Sequence, residues 1–216
     1  MAFRRLVVLA ITVAAFSLPG FANTFVSTLG AWNGFTAQSF FGMPNSQTYG
    51  QVINVPLIDT HLASFQFEMN LPASISFRGE VYAWDGSKAS GSSLFQSAPT
   101  STAGTGMQLI TFNTGALPLV AGQQYVIFAT ASFDNVGHSG MGSWGTVTTD
   151  PYANGTFVFL NNGTDTSLWT TQNWTVLNPG TDLAFTATFT TPEPATLGLL
   201  GASLVALGIV RRRRRP

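Results

Sequence analysis

The sequence predicts an all-β domain built as two packed antiparallel sheets, and three observations lead there. Charged residues make up only 8 % of the 216 positions, so the Glu- and Lys-rich outer face of an amphipathic helix has nothing to form from. Gly and Phe are abundant, at 22 and 18 residues, beside many Ser, Thr and Asn. Phe, Thr, Val and Tyr separated by Gly, Asn and Pro suit strands and turns. Apolar and polar residues also alternate with period two, as a half-buried strand requires.

Residues 24–28 open the series as a short strand, and 51–55 add a second. In residues 62–69, Phe65, Phe67 and Met69 alternate with Ser64, Gln66 and Glu68. In residues 75–84, Ile75, Phe77, Gly79, Val81 and Ala83 alternate with Ser76, Arg78, Glu80, Tyr82 and Trp84. The link Asn70-Leu71-Pro72-Ala73-Ser74 has turn composition, so these two stretches are expected to pair as a hairpin, ended by Asp85-Gly86. Residues 87–106, rich in Ser, Thr, Gly and Ala, read as a low-complexity loop. Strands follow near 107–112, 124–131, 155–160 and 182–190, the last with Leu183, Phe185, Ala187 and Phe189 on one face. The total is about eight strands and no helix. Uneven strand lengths favour a jelly-roll-like sandwich over a barrel.

Both chain ends stand apart from this domain. Arg4 and Arg5 form a positive start, residues 6–16 an apolar core, and Leu18-Pro19-Gly20 a helix breaker. Gly20-Phe21-Ala22 supplies the small residues a signal peptidase reads, so residues 1–22 read as a signal peptide cut between Ala22 and Asn23. At the far end, Pro192-Glu193-Pro194 precedes an apolar run of 16 residues, Ala195 to Val210. Arg211, Arg212, Arg213, Arg214 and Arg215 follow and form a stop-transfer block on the cytoplasmic side. The apolar run gives roughly 24 Å of helix, short of the ~20 residues that usually span a bilayer. Arginine side chains reaching back to the interface close much of that gap.

These tail features, in this order at the extreme C-terminus, resemble the PEP-CTERM sorting signal of Gram-negative bacteria. The resemblance implies a transient inner-membrane anchor and a setting of exopolysaccharide production. It also implies that an exosortase, a membrane transpeptidase, recognises Pro192, Glu193 and Pro194 and removes the tail. Two prolines keep that segment extended and unfit for helix, which presents it for such recognition just outside the bilayer. Phe-Arg-Gly-Glu-Val-Tyr-Ala-Trp-Asp-Gly (77–86), Leu94-Phe95 and Ala-Gly-Gln-Gln-Tyr-Val (121–126) resemble sandwich ectodomains common among PEP-CTERM proteins. More distantly they are similar to carbohydrate-binding modules and galactose-binding-like domains, which implies a sugar-binding role.

Residues 23–191 make one domain of ordinary size. Within it lie two basic residues, Arg78 and Lys88, against eight acidic ones, a net charge of −6 that argues against nucleic acid or anionic lipid as partner. With no cysteine, the domain holds itself by packing alone and has no thiolate metal site. A hairpin register could bring Glu68 and Glu80 close, and paired carboxylates at ~5 to 9.5 Å are what glycoside hydrolysis needs. A solvated face with Arg78 bridging a carboxylate is the favoured account of them. His61 and His138 are isolated, and Ser139 beside His138 lacks a nucleophile elbow, so neither a metal nor a triad is expected. Residues 140–145 match Gly-x-Gly-x-x-Gly literally but precede no helix start, so a loop is expected. Trp144, Trp169 and Trp174 have loop-like surroundings, where most of the five tryptophans are expected to cover edges or pack under loops. Asn154, Asn162 and Asn173 begin Asn-x-Thr triplets that read as turn chemistry.

Tyr82 and Trp84 face outward near Asp85, and exposed rings beside polar side chains can stack on sugars. The expectation is therefore an exported, non-catalytic protein of the cell surface or exopolysaccharide matrix, with Tyr82, Trp84 and Asp85 as glycan-binding candidates. It needs no cofactor or metal. Its partners are signal peptidase, an exosortase, the inner membrane and exopolysaccharide, and its alternatives are a surface polysaccharide hydrolase or a self-associating adhesin.

Overall fold

The computed structural model of the protein describes residues 23–44, 46–134 and 140–191. The signal peptide, His138 and Ser139, and the tail from Pro192 onward, including its arginines, lie outside them. No helix among the described residues is long and apolar enough to cross a membrane.

Thirteen strands are described. They are β1 (Thr24–Ser27), β2 (Ala37–Met43), β3 (Thr48–Asn54), β4 (His61–Asn70), β5 (Arg78–Trp84), β6 (Ala89–Gln96) and β7 (Gln108–Pro118). After these come β8 (Gln124–Thr130), β9 (Gly140–Val147), β10 (Phe157–Leu160), β11 (Thr175–Val176), β12 (Asp182–Leu183) and β13 (Phe185–Thr190). One sheet runs β1-β13-β4-β9-β12, with β7 also on β4 and β2 also on β9. The other runs β11-β10-β3-β8-β5-β6, and every pairing in both sheets is antiparallel.

The alternation seen in the sequence sets the inner faces. Phe65, Phe67 and Met69 of β4, with Phe185, Ala187 and Phe189 of β13, are fully buried against Ile53, Val81 and Ile127 of the opposite sheet. Phe65 stacks on Phe112 of β7 at 4.9 Å and meets Phe67 edge-on at 5.7 Å, offset and tilted arrangements that aromatic pairs prefer. Strands with one buried face carry their own register, because a one-residue slip would turn every Phe to water.

The expected hairpin between 62–69 and 75–84 does not form. β4 pairs with β13, β7 and β9, while β5 pairs with β6 and β8 in the other sheet. The linking residues Leu71 and Ile75 are buried in the core, so the chain crosses between sheets over an apolar edge instead of turning in solvent. Residues 87–106 are not one loop, since β6 occupies their first half and pairs with β5. The glycine-rich 140–145 is likewise the first part of β9. A Cβ at Gly142 would lie 2.3 Å from the Asn70 carbonyl oxygen, so glycine there permits close backbone approach and has no phosphate role. The only helical turns described are Leu29–Ala31 and α1 (Leu168–Thr171).

Candidate functional site

The six-stranded sheet has a second apolar layer on its outer face, made by Val52, Val126, Phe128, Val158 and Leu160. After β10 the chain folds back over this layer. It sets Trp169 and Trp174 edge-on to Phe128 at 5.1 and 5.2 Å. Tyr82 meets Trp169 at 5.9 Å, and Trp84 meets Trp174 at 5.8 Å. Both β5 rings thus lie on the outer face, as alternation requires, but are half-buried under this cover. Trp144, by contrast, sits in the inner core.

Buried polar groups fasten the cover. Asn162 Oδ1 accepts from Thr48 Oγ1 at 2.8 Å, and Trp169 Nε1 donates to the same hydroxyl at 3.2 Å. Asn162 Nδ2 donates to Ser132 Oγ at 2.9 Å, and the Gly163 amide donates to Gln47 Oε1 at 2.8 Å. Asn162 is buried in this network, where it does turn chemistry. Thr48→Val strands two buried groups and is expected to cost about 2 kcal/mol. Urea titration measures that loss, and acrylamide quenching of Trp169 and Trp174 should rise with it.

Beside the cover lies a groove of about 390 Å³, within the ~300–1,000 Å³ range of small-molecule sites. Trp84 and Val176 supply its apolar surface, and Gln124, Asn154, Thr156 and Asn54 its polar rim. The Gln124 and Asn154 amides are exposed, and neither makes a hydrogen bond to another described residue. The Asn54 amide is tied inward: with its nitrogen assigned by hydrogen-bond satisfaction, it donates to the Gly122 carbonyl at 2.8 Å and to that of Gln123 at 3.1 Å. Asp85 is spent on the β5–β6 turn. Its Oδ1 accepts from the Ser87 and Lys88 amides and the Ser87 hydroxyl, and its Oδ2 pairs with Lys88 Nζ at 2.8 Å. Lys88 holds this carboxyl well below the usual range. A groove of about 470 Å³ elsewhere, lined by Ser39, Phe40, Asn70 and Met141, has no ionisable side chain and no tryptophan.

The remaining ionisable groups do not converge on the groove. Arg78 Nε and Nη2 donate to the two oxygens of Asp134, both at 2.7 Å, and its guanidinium lies 5.1 Å from the Phe133 ring centre. Arg78 holds the Asp134 carboxyl below its usual range. Glu80 is fully buried beside β6, where Ser93 Oγ and Gln96 Nε2 donate to it at 2.7 and 2.6 Å. Burial pushes its carboxyl up, and burial does the same to Glu68. These two acids belong to opposite sheets, so no hairpin brings them together, and Glu80 is buried instead of lying on a solvated face, while Arg78 bridges to Asp134. Asp182 is 1 % exposed, and Gln51 Nε2 donates to it at 2.7 Å and the Tyr152 amide at 3.1 Å. Burial raises its pKa to about 6. No three His, Asp or Glu side chains come together among the described residues as a metal centre would need.

Gln124, Asn154 and Thr156 were not legible as site residues, because two separate segments, β8 and residues 154–156, supply them and no spacing links either to Trp84. Asn23, the expected first residue after signal-peptide removal, is exposed just before β1. The candidates Ala22, Pro192, Glu193 and Pro194 and the five arginines lie outside the described residues.

No curated protein matches the chain. Among solved structures, the chain superposes on the clostridial cysteine protease Cwp84 C116A after propeptide cleavage, with TM-score 0.52 and 16 % identity, over 79 % of this chain and 40 % of that one. It superposes equally, at TM-score 0.52 and 16 % identity, on the cysteine protease and lectin-like domains of Cwp84, a surface layer associated protein of Clostridium difficile. That overlap covers 82 % of this chain and 37 % of the other. The chain thus spans about two fifths of the length of these neighbours, and the likeness concerns the fold. Residues 190–215 match the family model of the PEP-CTERM protein-sorting motif. With a proline-flanked glutamate, an apolar run and an arginine end inside that match, the chain is an exported protein carrying a PEP-CTERM sorting motif, the signal that an exosortase processes.

Proposed function

We propose that this protein is a non-catalytic component of the cell surface or exopolysaccharide matrix whose jelly-roll-like sandwich binds a neutral glycan in the Trp84 groove. A signal peptide, residues 1–22, starts export. A helix over residues 195–210 then holds the chain in the inner membrane until Pro192, Glu193 and Pro194 are processed. One observation carries the binding reading: Trp84 lines a groove whose exposed amides, Gln124 and Asn154, have no partner among the described residues. An indole beside free amides is the pairing that sugar recognition uses, with the ring against C–H faces and the amides bridging hydroxyls. Both Lys and Arg side chains of the domain are already ion-paired, which favours an uncharged ligand over a phosphate or sulfate. A neighbour of similar fold described with a lectin-like domain makes sugars the first ligands to try.

The experiment is titration of the exported domain, residues 23–191, with the host exopolysaccharide and its oligosaccharides, alongside Trp84→Ala and Gln124→Ala. Saturable binding is expected, weakened about tenfold or more by Trp84→Ala and about threefold by Gln124→Ala, since a stacking ring contributes more than one exposed hydrogen bond. Unchanged binding by Trp84→Ala would move the site elsewhere. Release of reducing sugar would instead establish the hydrolase reading, which has lost its Glu68–Glu80 pair.

A further inference from the structure

Two loops at one end of the sandwich carry bare apolar side chains. Leu57, Ile58 and Val120 are 81 %, 76 % and 61 % exposed. They form one tip, because the loops are laced together at both flanks. The Leu119 amide donates to the Thr60 carbonyl at 3.0 Å, and the Gly122 amide donates to the Val55 carbonyl at 3.0 Å. A Cβ built on Gly122 would sit 3.6 Å from Leu57.

The same end is where the chain leaves the domain. Thr190, the last residue of β13, pairs with His61, and His61 pairs with Pro118. The strand partners of the last described residues are therefore the residues that flank the two tips. From Thr190 to Ala195, the start of the apolar run, is five residues, a reach of no more than about 17 Å. If that run is in the bilayer, a link this short keeps the tip close to the membrane surface. No exposed ionisable side chain of these loops stands in the way. Within 55–61 and 118–123 the ionisable side chains are Asp59, which is buried and receives the Thr24 hydroxyl, and the half-buried His61.

We propose that Leu57, Ile58 and Val120 dip into the outer-leaflet interface of the inner membrane while the tail is anchored. The domain is then seated on its end, with Pro192-Glu193-Pro194 held at a set height above the lipid. Apolar tips on rigid loops partition into the headgroup–acyl boundary as the apolar faces of interfacial helices do. The inference rests on the membrane anchor of the preceding section.

The absence of cysteine gives a direct test, because one introduced cysteine takes one label. Full-length protein is reconstituted into phosphatidylethanolamine–phosphatidylglycerol vesicles with an environment-sensitive dye at Ile58→Cys, at Thr105→Cys or at Ala202→Cys. Thr105 lies in the loop before β7, at the opposite end of β4. Nitroxide-bearing lipids should quench the labels at 202 and 58 strongly and leave 105 bright. Adding Leu57→Ser and Val120→Ser should return the label at 58 to an aqueous spectrum. Quenching at 202 without quenching at 58 overturns the contact and leaves the anchor standing. No quenching at 202 overturns the anchor and the contact together. Equal quenching at 58 and 105 overturns the seated orientation. A label at 58 that is hidden from aqueous quenchers yet untouched by nitroxide lipid also overturns it, and assigns the tip to a protein partner.

Discussion

Trp144→Ala will cost about 4 kcal/mol of folding free energy, whereas Trp144→Phe will cost less than about 1.5 kcal/mol. Trp144 is fully buried where the β2–β9 pairing meets the core. It packs against Phe67 at 4.8 Å, Phe41 at 4.9 Å and Tyr49 at 5.6 Å between ring centres. Alanine would leave a cavity walled by three rings on rigid strands that cannot collapse into it. Against a typical domain stability of about 5–15 kcal/mol, that variant would be barely folded. Phenylalanine keeps most ring contacts. It also removes the indole N–H, which has no hydrogen-bond partner among the described residues and carries a desolvation cost of about 1–3 kcal/mol. Urea denaturation of residues 23–191 separates the two substitutions. Equal losses would mean that the indole N–H is paired after all.

Between pH 4 and pH 7 the folded domain will lose about 2 kcal/mol of stability through Asp182. Burial lifts this carboxyl from its ordinary 3.8 to about 6. An acid whose folded pKa lies above its unfolded one binds its proton more tightly when folded. Its stabilising contribution is therefore complete below about pH 3.8 and disappears as pH rises through 6. Gln51 and the Tyr152 amide offset part of the burial with hydrogen bonds, while Asp150 nearby adds to the rise. Asp182→Asn removes the titration at a pH-independent cost, because an amide N–H would face one of two donors. The difference in unfolding free energy between wild type and Asp182→Asn should thus shrink steadily from pH 4 to 7.5. A constant difference would show that the group titrates normally. Glu80, also raised by burial, leaves a residual slope of the same sign in both proteins. Asp134 and Asp85, both lowered, act in the opposite sense and only as pH falls toward 4 and below.

The strands legible in the sequence are those with one face in the core. β4 and β13 place a large apolar residue at every second position, and nothing but a strand buries such a pattern. β6 was illegible because Gly91, Ser92 and Ser93 are exposed, and backbone pairing to β5 alone makes the segment a strand. β9 was hidden for another reason: its glycines answer to distant neighbours, Gly142 to the backbone of residues 70–71 and Gly145 to Ala184 and the Trp32 ring. The failed hairpin has the same origin. Leu71 and Ile75 read as parts of a turn and its exit, but a crossing chain uses them to plug the edge of the core.

Of the candidate site, alternation put Tyr82 and Trp84 on the outward face of β5, and that placement holds. How much of each ring remains available was set by Trp169 and Trp174, which arrive from a loop whose position depends on Thr48, Thr130 and Asn162.

By itself, the sequence determined the all-β character and the sorting motif at residues 190–215, because composition, period-two alternation and a linear signal are local properties. The tertiary structure alone decided that Glu68 and Glu80 lie in different sheets, that Asp182 is buried, and that Gln124 and Asn154 flank Trp84. Each of those facts depends on strand register and on crossings between sheets. Register and crossing are fixed by the burial of distant partners, which no short stretch of chain encodes.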